Sequence, residues 1–135
     1  MKKINLFIIL FLMISFSCKR HSDCQGITVS ELLDINTNNY CDLIEKSLAK
    51  NKDALKEISL LSIYDSASYE HGTVLVQIIE KVGEDFYVKS LGVLTSKEKN
   101  KIKSYLDVGL EYGGAKYKDK ALKKFFPKVE AYLVP

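Results

Sequence analysis

"GTVLVQIIEKVGEDFYVKSLGVL", residues 72–94, decides the fold. It is rich in β-branched and aromatic side chains, and "VGED" at 82–85 has the make-up of a turn between two strands. Read that way, the chain is α+β with a hairpin at about 73–94. A half-buried strand alternates apolar with polar, and here Ile78 and Ile79 are adjacent apolars while Lys89 and Ser90 are adjacent polars. A helical period fits better: Leu75, Ile78, Ile79 and Val82 share one face, and after a break at Gly83 the face resumes with Tyr87, Val88, Leu91 and Leu94. The expectation is therefore all-α.

Outward from this stretch the same period recurs. Tyr40, Leu43, Ile44 and Leu48 stand at i, i+3, i+4 and i+8 behind "NTNN", residues 36–39, whose side chains suit a helix N-cap. That helix ends near Asn51; Asp53 is the expected cap of a second, with Leu55, Ile58, Leu60 and Leu61 inward. "SIYDSAS", residues 62–68, breaks the pattern, which restarts at Ser66 or Ser68. On the other side Thr95 followed by Glu98 is a capping box, opening a helix through Ile102, Tyr105, Leu106 and Leu110 to "EYGG", where Gly113 suits a left-handed C-cap. A last helix runs from about Asp119, and Pro127 should split it by removing a donor and crowding the preceding turn. Six or so short helices on short turns make a small orthogonal bundle, or HEAT-like helical hairpins without a detectable repeat.

The N-terminus is of another kind. Lys2 and Lys3 precede an apolar run from Ile4 to Ile14, too short for the ~20 residues that cross a bilayer as a helix. A charged start, an apolar middle and a small-residue exit are the layout of a secretory signal. Ser17 followed by Cys18 resembles the lipobox of bacterial lipoproteins. The resemblance implies that residues 1–17 are a signal peptide and that Cys18 becomes the acylated first residue, carrying diacylglycerol and palmitate-type chains. It also implies a lipid-anchored membrane protein of the bacterial cell envelope, facing the periplasm. "CKRHSDCQGITVS", residues 18–30, reads as a polar tether, a short amphipathic piece spans Ser30 to Ile35, and residues 31–135 form a single helical domain.

Removing the first 17 of 135 residues leaves 118, enough for one modest core, and takes the net charge from +3 to about +1. That balance implies no nucleic-acid role. From Glu31 to Asp85 there are eleven acids and five lysines, from Lys97 to Lys128 ten lysines and four acids. The basic half either solvates outer helix faces or meets an anionic surface. Of three cysteines, an acylated Cys18 leaves Cys24 and Cys41, which can pair in an oxidising compartment; alternatively Cys41 is a small core side chain.

Two histidines are present. His21 lies in the tether. His71, in "SYEHG", precedes Leu75 by four and Ile78 by seven, on the buried line. Glu70 and His71 would have to serve as an acid/base pair or half a metal site, yet adjacent helical residues point about 100° apart, so a structural histidine is the preferred reading. No nucleophile turn, glycine-rich phosphate loop, zinc pair or calcium loop appears, so neither an enzyme nor a cofactor or metal protein is expected. Tyr112 and Tyr117 bracket two glycines among lysines; with Tyr69 and His71 they are the candidate interaction residues, tyrosine being a favoured interface side chain.

The function expected is a non-enzymatic protein-interaction module held on the membrane through acylated Cys18 and binding an envelope protein. In general form it is similar to periplasmic immunity proteins. The alternative is a carrier of a small ligand or lipid with its site inside the bundle, lined by Leu75, Ile79, Leu91 and Leu106.

Overall fold

The computed structural model describes residues 22–30, 32–33, 39–117 and 121–134. Signal peptide, Cys18, His21, the 36–38 part of the asparagine cluster and Asp119 lie outside them. The decisive stretch is helical: α3 (Ser66–Val82) and α4 (Glu84–Leu91) meet at Gly83, whose φ of 87° ends one helix and starts the next. Leu75, Ile78, Ile79 and Val82 are all buried, and so are Val74 and Val76 on the flanks. The middle of α3 is thus apolar over most of its circumference because it is the central helix, and that burial overrides the β-leaning composition.

α3 packs most extensively on α5 (Ser96–Tyr112) and also on α1 (Tyr40–Leu48) and α4; α2 (Lys52–Leu60) joins α1, α4 and α5, and α6 (Leu122–Phe125) and α7 (Pro127–Leu133) pack on each other and on α5. The small mostly-helical bundle expected from the period is the fold. Thr95 and Glu98 form the expected capping box, with 2.8 Å from the Thr95 amide to Glu98 Oε2 and 3.3 Å from the Glu98 amide to Thr95 Oγ1. Pro127 does split the last helical stretch, and it sits in the first turn of α7, where its missing donor costs no bond.

Three caps differ from expectation. Asn39 precedes α1 without a side-chain cap bond. Asn51, not Asp53, caps α2: its side chain accepts from the Ala54 amide at 3.0 Å, the reach of an N-cap to the third helical residue, while Asp53 lies inside the first turn. After α5 the positive φ falls on Gly114, at 101°, not on Gly113. Gly113 is restricted by space, since a Cβ there would lie 2.6 Å from the Gly109 carbonyl oxygen.

α3 and α5 cross where Gly72 faces Gly109. A Cβ on Gly72 would stand 2.2 Å from the Tyr105 carbonyl oxygen, and one on Gly109 2.2 Å from that of Gly72. The two backbones therefore touch with no side chain between them, as small residues alone permit.

The largest departure is at the N-terminal side. The sequence reads as a tether over residues 18–30, but β1 (Ser22–Cys24) and β2 (Ile27–Val29) form an antiparallel hairpin with Ser22 opposite Val29 and Cys24 opposite Ile27. Gln25 and Gly26 both have positive φ, as a tight two-residue hairpin turn requires, and Asp23 accepts from the Gly26 amide at 2.6 Å. Cys24, Ile27 and Val29 are buried in the same core as the helices. Cys24 is bonded to Cys41 of α1. A two-stranded ribbon is marginal by itself; the disulfide and the buried alternate side chains explain why this one is ordered, and why the folded domain begins before residue 31.

Candidate interaction surface

His71 lies at the centre, fully buried, between α1 and α5. Its Nδ1 is 2.6 Å from the Tyr40 hydroxyl, and the Tyr105 ring stands perpendicular to it at 4.7 Å between centroids. Burial first, then the nearby Lys101 ammonium, lowers the imidazole pKa from 6.5 to about 3. Burial likewise raises Tyr40 well above 10, with Glu70 and Tyr105 adding to it. The tyrosine hydroxyl is therefore the donor and Nδ1 the acceptor, which leaves the proton on Nε2, an atom without a hydrogen-bond partner among the described residues.

Glu70 faces the other way. Its Oε1 accepts from the Ser30 amide at 2.7 Å and its other oxygen from the Ser30 hydroxyl, so it clamps the end of the hairpin onto α3. The adjacent acid and imidazole are thus split between two structural tasks, as the 100° step of a helix requires. His71 is core, not an interaction residue, because a neutral ring sealed between two tyrosines offers nothing to a partner.

Tyr69 and Tyr112, remote in sequence, are brought together. Tyr69 stands three residues before Gly72 and Tyr112 three after Gly109, and their side chains meet beside the crossing of two helices that run parallel, as the Ile63–Tyr105, Gly72–Gly109 and Glu80–Lys116 contacts show. Their rings are 5.0 Å apart and inclined at 36°, with 47% of Tyr69 and 61% of Tyr112 exposed. Tyr117 does not join them. It is buried, with Phe125 edge-on at 5.1 Å, because the turn after α5 directs it inward.

Tyr64, 76% exposed, stands in the break before α3 beside a depression of about 440 Å³ formed by Leu32 and residues 62–67. The loop is held from α5 by two side chains: Tyr105 Oη accepts from the Ile63 amide at 3.0 Å and lies 3.2 and 3.1 Å from the Leu61 and Ile63 carbonyls, and the Lys101 ammonium donates to the Leu60 carbonyl at 3.1 Å and the Ser62 hydroxyl at 3.0 Å. In the sequence "SIYDSAS" reads only as a break, and the one sign of Tyr64 is an aromatic residue inside a polar interruption.

At the far end of α5, Val93 is 94% exposed. The Lys56 ammonium reaches toward Gly92, whose carbonyl accepts from the Tyr132 hydroxyl at 2.6 Å, and the Lys99 ammonium lies over the Tyr132 ring at 4.7 Å. Elsewhere the two oppositely charged halves of the chain answer each other. Lys116 pairs with Glu80 and Lys128 with Asp85, and Glu84 caps α7 by accepting from the Lys128 and Val129 amides at 2.8 and 3.0 Å. Glu84 thus serves two helix N-termini, standing with Asp85 in the first turn of α4 and accepting at the start of α7.

Leu75, Ile79, Leu91 and Leu106, where a carrier would need its cavity, are buried in one packed cluster, and none of them lines the depression. No group of three or more His, Cys, Asp or Glu side chains among the described residues converges as a metal site, and no helix among them is long and apolar enough to cross a membrane. Comparison with known proteins gives no family model, no curated sequence and no solved structure that matches this chain.

Proposed function

We propose that this chain is a lipid-anchored protein of the bacterial envelope that acts as a non-enzymatic interaction module. The observation that carries the reading is the disposition of its exposed apolar side chains: the paired rings of Tyr69 and Tyr112, Tyr64 on the depression before α3, Val93 just before α5, and a histidine sealed in the core. Interaction surfaces are made of exposed anchors of this kind, whereas acid–base or acyl-transfer chemistry needs a titratable group that substrate can reach. The bonded pair Cys24–Cys41 supports an oxidising compartment, consistent with export. Such a molecule has two surfaces to offer, one for the membrane that holds it and one for a partner protein. Co-purification from detergent-solubilised envelopes tests it. The wild-type chain should bring down one stoichiometric protein, and recovery of none overturns the reading.

A further inference from the structure

The hairpin stands between the expected anchor and the helices, and its two strands are held unequally. β2 sends Ile27 and Val29 into the core, and the residue after it, Ser30, donates its amide and hydroxyl to Glu70 of α3. In β1 Asp23 is exposed and Cys24 is buried, so the Cys24–Cys41 bond is the covalent tie of that strand to α1. Among the described residues its other hold is the three-residue ladder to β2 and the bond from the Gly26 amide to Asp23, too little to order a strand alone. Four chain steps separate Cys18 from Ser22, a link that spans at most about 14 Å; nine separate it from Ile27, and that link spans at most about 32 Å.

We propose that the Cys24–Cys41 bond is a redox-operated clamp on the membrane tether: closed, it holds Ser22 within about 14 Å of the acylated Cys18; opened, it frees β1, so that the link runs to Ile27 and more than doubles in reach. This rests on the lipoprotein reading. The reductant is a dithiol, of the kind carried by thiol–disulfide exchange proteins. Its thiolate attacks the Cys41 sulfur, the half-buried partner, because Cys24 is sealed in the core. The Cys24 sulfur leaves as a thiolate and takes up a proton. The second thiol of the reductant, as thiolate, then displaces the Cys41 sulfur, which is protonated in turn, so that two protein thiols stand against one oxidised dithiol. β2 stays in place, since Ile27, Val29 and the Glu70 clamp hold it independently. An interaction module clamped in this way meets partners beside the membrane; released, it reaches partners further out.

Acylated full-length chain in a supported phosphatidylcholine bilayer is measured by neutron reflectometry before and after treatment with dithiothreitol, with free thiols counted and hydrogen exchange followed by mass spectrometry. Once the bond opens, peptides over 22–26 should lose protection while those over 74–79, in the buried middle of α3, keep it. The protein layer should move outward by about 5 Å, the change in mean span from four flexible residues to nine. Replacing Cys24 and Cys41 together by alanine should give the outward position without reductant and no response to it. A bond that stays closed in the folded chain, a layer that does not move after it opens, or exchange that quickens through α3 as well each overturns the clamp and leaves the anchor standing. Incorporation of labelled fatty acid, abolished by Cys18→Ser, is scored first; its absence from the wild-type chain overturns the anchor and the clamp together.

Discussion

The α3–α5 crossing and the N-terminal hairpin hold the same core from two sides by opposite means. At the crossing, two helices touch because side chains are missing: Gly72 and Gly109 bring backbone against backbone, and His71, Tyr40 and Tyr105 fill the space beside them. In the hairpin, three-residue strands are held by what is added, a covalent bond to α1, the Glu70 clamp on Ser30, and the buried Ile27 and Val29. The first arrangement cannot tolerate a methyl group; the second can lose a bond and leave the helices standing. The tyrosine pair depends on the first, since the crossing brings Tyr69 to Tyr112.

The most damaging single change is therefore Gly109→Ala. The new carbon would lie 2.2 Å from the Gly72 carbonyl oxygen and 2.8 Å from the Thr73 nitrogen, atoms that move only if the helices separate. We expect a loss of about 3 kcal/mol or more in denaturant unfolding, at the upper end for overpacking. A loss below ~1 kcal/mol would show that the helices part easily, and the comparison would fail on its stronger side.

Helical periods were legible in the chain because they are local. Leu75, Ile78, Ile79 and Val82 mark one face whatever lies opposite, Gly83 and Pro127 interrupt by their own covalent geometry, and Thr95 with Glu98 is complete within four residues. The crossing was not legible, since a glycine on one helix has meaning only when its opposite number is known. Nor was the hairpin: three-residue strands are too short to show alternation, and what holds them lies at Cys41 and Glu70. For the surface, Tyr69 and Tyr112 were identified one by one, and their pairing needed the crossing. Tyr117, alike in sequence context, differs only by a turn that sends it inward.

The hairpin side is tested by a smaller effect. Replacing Cys24 and Cys41 together by alanine removes the staple and should cost about 2 to 3 kcal/mol, the range for a loop of this length. Hydrogen exchange should quicken at Ile27 and Val29 and stay slow at Leu75 and Ile79, if the bundle folds without its ribbon. Equal loss of protection at all four would make the hairpin part of the bundle's cooperative unit and remove the distinction drawn between the two regions.

Mild acid should separate the two sides by the smallest effect. His71 has a folded pKa of about 3 against 6.5 for an exposed imidazole, first because it is buried and then because Lys101 is near. Between those values the unfolded chain binds a proton that the folded chain refuses, so stability falls as pH drops from 6.5 and the loss is complete only near pH 3. From pH 7 to 5.5 the expected cost is about 1.4 kcal/mol, one pKa unit's worth. Carboxylates act in a lower window: the Thr95 amide and hydroxyl hold Glu98 below 4.5, so its contribution is present above that value and is lost only as pH falls through the lower folded pKa. The slope from 6.5 to 5.5 is therefore assigned to the crossing. Replacing His71 by glutamine should flatten it, and the imidazole signals should show His71 still neutral at pH 5. Titration of His71 near 6.5 in the folded protein would mean that water reaches the ring, and the seal between Tyr40 and Tyr105 would have to be abandoned.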